Sequence, residues 1–216
     1  MNKIAIGALL LSVFAASCED PAANKPKAVT ADASNAATAV RESSERTEKG
    51  TKLSINPENS KVGFVGSKVT GKHDGGFKAF TGTIDLVGEK PEDSTVAIDI
   101  QMNSVFTDAD GLTSHLQTGD FFEVEKFPSS TFKSTAIAPD EAKGAGNYIV
   151  TGDLEMRGQK KSIKFPAAIT VEADAVSVNA EFAINRKDFG IVYAGKADDL
   201  IRDDVVIRLD LKAPRK

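Results

Sequence analysis

The sequence predicts an all-β domain, a closed barrel or a sandwich of about eight strands, and three observations carry that expectation. From Leu53 onward apolar residues recur with period two, the signature of a half-buried strand. Turn-forming residues interrupt the pattern at Pro57-Glu58-Asn59, His73 to Gly76, Gly88 to Asp93, Pro139 to Gly146 and Arg157-Gly158. The runs between them are long, roughly 8 to 11 residues, at the upper end of the usual range. Closed into a barrel, such strands leave a deep interior.

The elements follow in chain order. Weak alternation marks Val62 to Val69 and Phe77 to Val87. Val96, Ile98, Ile100 and Met102 then alternate with Ala97, Asp99 and Gln101. A helical insert follows over Asp108 to Gln117, with the acidic-aromatic Gly119 to Glu125 as a candidate extension. Ser130 to Ile137 and Tyr148 to Met156 are weaker strands. Ile163, Phe165, Ala167, Ile169 and Val171 share one face, as do Val176, Val178, Ala180, Phe182 and Ile184. Val205, Ile207, Leu209 and Leu211 close the series, with Arg208, Asp210 and Lys212 between them. One wet face per strand fits antiparallel pairing. It also excludes an outer-membrane barrel, whose outward face must be apolar. Alternation sends Phe64, Phe80, Ile98, Ile100, Met102, Leu154, Met156, Phe165, Phe182 and Ile184 inward.

The N-terminus reads as an address. Lys3, the apolar run Ile4 to Phe14 and the small triplet Ala15-Ala16-Ser17 form a secretory signal over residues 1–17. The run is too short for a transmembrane helix, which needs about 20 residues. The chain's one cysteine, Cys18, stands directly after the triplet, where a bacterial lipobox places the lipidated residue. Several acyl chains there would anchor the mature protein stably, since one binds only marginally. The expected location is the bacterial cell envelope, on the outer membrane facing the periplasm or the cell surface. From 18 to 51 the composition is rich in Ala, Ser, Thr, Pro, Lys and Glu, and Phe, Leu and Ile are absent. Such a stretch is expected to be a disordered tether. As a coil of about 30 residues it would span some 30 Å. The barrel domain then occupies 52–216.

Composition excludes much chemistry. Net charge is −4 with no basic run, which argues against a nucleic-acid surface. A single cysteine permits neither an internal disulfide nor a Cys-based zinc site. No nucleophile elbow, P-loop or dinucleotide fingerprint is present. His73 and His115, even with Asp74 or Glu123, lack metal-site spacing, so no metal is expected. The most notable polar pair is Arg186 with Asp188, just past a strongly apolar strand. It is either a headgroup contact at one end of the interior or a structural ion pair at the rim.

A set of motifs in fixed order resembles the YceI-like family. They are Phe77-Lys78-Ala79-Phe80-Thr81-Gly82, Ser104-Val105-Phe106-Thr107, His115-Leu116-Gln117-Thr118-Gly119-Asp120-Phe121-Phe122-Glu123-Val124, Phe127-Pro128 with Thr131-Phe132, and Gly152 to Gly158. Asn185-Arg186-Lys187-Asp188-Phe189-Gly190 and Asp203-Asp204-Val205-Val206-Ile207 complete it, and the match spans Leu53 to Ala213. The resemblance implies a lipocalin-like closed antiparallel barrel whose apolar tunnel holds a polyisoprenoid chain, either a quinone tail or an isoprenyl phosphate. The usual hydrophobic-His-Leu segment is replaced by Ser67-Lys68-Val69-Thr70 ahead of a displaced His73, so no family role is carried to His73. The implied function is non-enzymatic binding and carriage of such a lipid, with no cofactor beyond the ligand. The alternative is a lipid- or quinone-modifying enzyme on the same fold, using Asp153, Arg186 or Tyr148 as acid-base groups.

Overall fold

The computed structural model describes residues 19–33 and 50–215. The signal segment, Cys18 and residues 34–49 of the expected tether lie outside the described residues. No described helix is long and apolar enough to cross a membrane.

The described strands are β1 (Val29–Asp32), β2 (Thr51–Ile55), β3 (Lys61–Lys68), β4 (Gly71–Phe77), β5 (Phe80–Leu86), β6 (Thr95–Gln101) and β7 (Val105–Thr107). After the helix α1 (Asp110–Leu116) come β8 (Ser129–Pro139), β9 (Asn147–Met156), β10 (Gln159–Val171) and β11 (Ala175–Asn185). The last are β12 (Gly195–Lys196), β13 (Asp199–Leu200) and β14 (Asp204–Pro214). One antiparallel sheet runs β2-β5-β6-β8-β9-β10-β11-β14-β3-β4-β7, with β1 beside β10. β12 and β13 form a separate pair. All-β architecture with one short helix is as expected.

Closure is not. The sheet curls into a half-barrel whose end strands, β2 and β7, do not pair. Closure would need β2 to pair with β7. β2 pairs only with β5 and β7 only with β4, so each keeps one edge outside the sheet. The expectation of a closed eight-stranded barrel is corrected accordingly.

A second irregularity lies between β10 and β11. β10 follows β9 from Gln159 to Ala168, yet pairs with β11 only over Ala168–Val171. The other halves of these strands diverge, and the segment before β2 fills the split. Val29–Asp32 pairs antiparallel with Lys161–Lys164. On the other side the Ala183 N–H donates to the Pro26 carbonyl, and the Ala28 N–H to the Ala183 carbonyl, each at 2.8 Å. Pro166 sits between the two partner segments of β10, where a missing donor is tolerated.

The strap also covers an apolar patch on the outer face. Ala22 is buried against Val65, Ala183 and Val206. Ion pairs fasten its length: Arg202–Asp20 at 3.4 Å, Lys25–Glu181 at 2.6 Å, Lys27–Asp204 at 2.5 Å and Lys161–Asp32 at 2.7 Å. The expected disorder over 18–51 therefore fails for residues 19–33. Composition measures apolar area, whereas this strap is held by strand pairing and charge.

Hydrogen bonds from Lys25 and Arg208 hold the Glu181 carboxyl below its usual range, and one from Lys161 does the same for Asp32. A lowered carboxylate pKa supplies stability above the unfolded value, near 4, and loses it as pH falls through the folded value. Between pH 7 and about 2, the amides of Ala28, Ala183 and β1 should therefore lose hydrogen-exchange protection, corrected for intrinsic rate, while β8 and β9 keep theirs. Strap protection that stays unchanged once both carboxylates are protonated would show that these ion pairs do not hold it.

Candidate functional site

The interior of the half-barrel is apolar and incompletely filled. A cavity of about 310 Å³ opens at the end where the β3–β4 turn, α1 and the loop after β11 meet. A second, of about 100 Å³, lies deeper, and a third, of about 40 Å³, at the opposite end. They share walls in sequence. Phe77, Met156, Ile184 and Ile207 line both the first and the second. Ile98, Phe132, Phe165 and Leu209 line both the second and the third. The Phe165 and Phe182 rings stack at 4.1 Å and Phe132 leans on Phe165 at 5.8 Å, so aromatic side chains close off the deep end.

Two glycines keep the walls flat. Gly75 lies opposite Phe64, and a Cβ there would stand 2.4 Å from its ring. Gly152 accommodates the Phe132 ring in the same way, again at 2.4 Å. Without these side chains the rings can lie against the backbone and leave the middle open.

The mouth has a roof. α1 is fixed to β7 by the Thr107 N–H, which donates to Thr113 Oγ1 at 2.9 Å. Leu112 and Leu116 of α1, with Phe121 and Phe122, face the cavity. His115, Phe121 and Tyr193 meet edge to face at 5.0–5.5 Å, joining the roof to the loop after β11. His115 Nε2 lies 2.7 Å from Asp120, a local contact within the insert. Arg157 and Gly158 both have positive φ, the backbone a tight hairpin needs. From that turn Arg157 donates to the carbonyls of Gly190 and Gly119, tying β9–β10 to both sides of the mouth.

Arg186 lines the first cavity, at an end of the interior as its sequence position suggests. Its role is set by its partners. Only 4% exposed, it donates from Nε to the Arg202 carbonyl, from Nη1 to Ile191 and from Nη2 to Ile201, at 3.0, 2.7 and 3.3 Å. Its carboxylate partner is Asp203 at 3.3 Å, not the expected Asp188. Burial pulls its pKa down, opposed by Asp203. A guanidinium nonetheless stays charged. These contacts make Arg186 the clamp of the segment from 186 to 203, with little donor capacity left for a headgroup.

Of the residues expected to face inward, Phe64, Met156 and Ile184 line the first cavity. Ile98, Ile100, Met102, Leu154, Phe165 and Phe182 line the second, with Met156 and Ile184 shared. Phe80 is buried core and lines none of the three. Sequence reasoning missed the roof, although Leu112 and Leu116 stand at helical i, i+4 spacing. It also missed the polar edge of the mouth. There Lys68 pairs with Asp199, and His73 Nδ1 lies 2.8 Å from Asp108, holding that carboxyl below its usual range. Ser67 lines the same cavity, with a buried hydroxyl lacking a hydrogen-bond partner among the described residues.

The side chains weighed for catalysis do not converge. Asp153 pairs with Lys160 at 3.1 Å, Tyr148 packs against the core beside Pro139 and Ala167, and Arg186 is at the mouth. Among the described residues no group of three or more His, Cys, Asp or Glu is placed to hold a metal.

A curled antiparallel sheet thus surrounds a roofed apolar cavity, the architecture of a binding protein. The chain belongs to the YceI-like family, whose domain matches residues 53–213. Curated relatives include a UPF0312 protein of Pseudomonas putida, 31% identical over 139 residues, covering 62% of this chain and 71% of that one. Another, from Pseudomonas fluorescens, is 31% identical over 137 residues, covering 61% and 70%. Similar solved structures include Burkholderia cenocepacia BcnA, with a TM-score of 0.67 at 24% identity, covering 74% of this chain and 99% of that one. A polyisoprenoid binding domain from Saccharophagus degradans gives a TM-score of 0.62 at 19% identity, covering 78% and 100%. These two likenesses establish the fold.

Replacing Arg186 with Ala strands three carbonyls that it now satisfies. The ligand-free protein should lose about 3 kcal/mol of stability, the scale of leaving buried acceptors unpaired. Chemical denaturation measures this, and a loss below about 0.5 kcal/mol, the range of a neutral surface change, would contradict the clamp.

Proposed function

We propose that this protein binds and carries a polyisoprenoid or similar long-chain amphipathic lipid, a quinone or an isoprenyl phosphate, without catalysis. The observation that carries the reading is the roofed apolar cavity of about 310 Å³ continued by a second behind Phe77, Met156, Ile184 and Ile207. That volume lies at the lower end of small-molecule sites, which hold about 300–1,000 Å³. A long chain must therefore bend or part the phenylalanines at the deep end. The similarity to a polyisoprenoid binding domain supports the choice of ligand class.

Energetics favour a carrier. Burying some 40 isoprenoid carbons at about 0.8 kcal/mol each amounts to roughly 30 kcal/mol relative to water. No non-covalent complex reaches that value. The real exchange is with a bilayer, which is about as apolar as the cavity, so most of the term cancels. Selectivity then rests on cavity shape and on polar groups at the mouth, where the Ser67 hydroxyl lacks a partner among the described residues and Lys68 and His73, paired with Asp199 and Asp108, line the same cavity. The signal pattern supports an envelope location with Cys18 acylated.

Ile184→Trp tests the reading at the passage between the first two cavities. Overpacking should cost about 1–3 kcal/mol and leave the protein folded. Native mass spectrometry of protein purified from membranes should show wild type carrying a prenyl lipid and the variant largely empty. Equal lipid occupancy in a folded variant, or no lipid on wild type, would contradict the proposal.

A further inference from the structure

The strap places the N-terminal end of the described chain at the cavity mouth. Glu19, Asp20, Pro21 and Lys25 form a shallow cleft with Gly71 and Lys72 of the β3–β4 turn. Asp20 is paired with Arg202, whose N–H donates to the carbonyl of the cavity residue Ser67 at 2.9 Å. Burial of Ala22 fixes the chain two residues further on. Cys18 is the residue directly before Glu19 in the sequence. Anchoring at Cys18 would thus hold the mouth beside its acyl chains, not some 30 Å away on a coil.

The surface there suits a bilayer. The exposed large apolar side chains of the described chain are few, and three of them belong to the segments that border the mouth. Val69 is 54% exposed, Leu200 48% and Val192 65%. The Val69 N–H donates to the Leu200 carbonyl at 3.2 Å, so these two project from joined turns. Val192 follows Ile191, which lines the cavity. The remaining two, Val29 and Phe106, belong to β1 and β7. Charge does not supply the attraction. Lys68, Arg202 and Lys187 are paired with Asp199, Asp20 and Asp203, while Glu19 and Asp198 offset Lys72 and Lys196. Aliphatic side chains grouped on one rim beside the start of the strap, with no net charge of either sign around them, fit a lipid interface once the chain is anchored there.

We propose that this rim is a membrane-docking surface, and that the strap turns the cavity mouth onto the bilayer that supplies its guest. Val69, Val192 and Leu200 enter the interface, and a chain passes from bilayer to cavity beneath the roof without crossing water. The inference rests on the lipid-carrier reading and on acylation of Cys18.

The test uses the full-length protein, acylated in a bacterial host and reconstituted into phosphatidylethanolamine–phosphatidylglycerol vesicles. Environment-sensitive fluorophores go on Val69→Cys, Leu200→Cys and, at the far end, Ala145→Cys. Mass spectrometry of the N-terminal peptide scores acylation separately, and lipid occupancy scores the carrier reading. Probes at 69 and 200 should be quenched by nitroxide-labelled lipids several-fold more than the probe at 145, with little change in high salt. Arg202→Ala with Glu181→Ala, which removes two of the strap's four ion pairs including the one next to Glu19, should narrow the difference between the probes. Equal quenching on acylated protein with the strap intact would overturn the proposal, and an unacylated Cys18 would remove its basis. An empty cavity with strong rim quenching would leave the docking surface standing and sink the carrier reading alone.

Discussion

In a sheet, each strand has two edges, and in this molecule the end strands β2 and β7 each use only one. The sheet therefore curls without closing. This half-barrel has two gaps to cover, the split between β10 and β11 and the open end of its interior. The strap fills the first by pairing with both strands where they part. The roof answers the second, held over the opening by the Thr107–Thr113 contact, the His115–Phe121–Tyr193 cluster and the Arg157 ties. Arg186 organises the remaining side by drawing three carbonyls and Asp203 around one buried charge.

The cavity follows from the same geometry. Inward residues on the curling strands cannot all meet in the middle. Gly75 and Gly152 then widen the gap by letting aromatic rings lie flat. At the deep end the stacked phenylalanines narrow the section to voids of about 100 and 40 Å³. Most of the space left is thus near the roof, where the walls are aliphatic and aromatic and the edge is polar. Enclosing an apolar chain requires that gradient: polar atoms where a headgroup would meet water and none along the tail.

Local pattern made part of this legible. Period-two alternation identified the long strands and the inward residues, since side-chain direction depends only on the strand itself. Phe80 shows the limit, because facing inward and lining a cavity differ in ways that only packing decides. Closure was out of reach: which strand takes the free edge of β4 is a long-range choice, made by the three-residue β7. The strap was hidden by its composition. Its trace was nonetheless present on the domain, where Val65, Ala183 and Val206 break the polar outer face at positions that Ala22 covers. Arg186 was placed correctly at one end, but its partner was misjudged. Asp188 is near in sequence, whereas Asp203 reaches it through the fold.

The central claim is that the cavities form one path for an apolar chain, entered at the mouth. Anomalous diffraction from crystals of the protein bound to a terminally brominated prenyl chain would locate the far end of the guest directly. The account predicts a bromine peak past Ile184, among Ile98, Leu154 and Phe165. A peak confined to the roof beside Leu112 and Phe122, or bromine only on the outer surface, would contradict it.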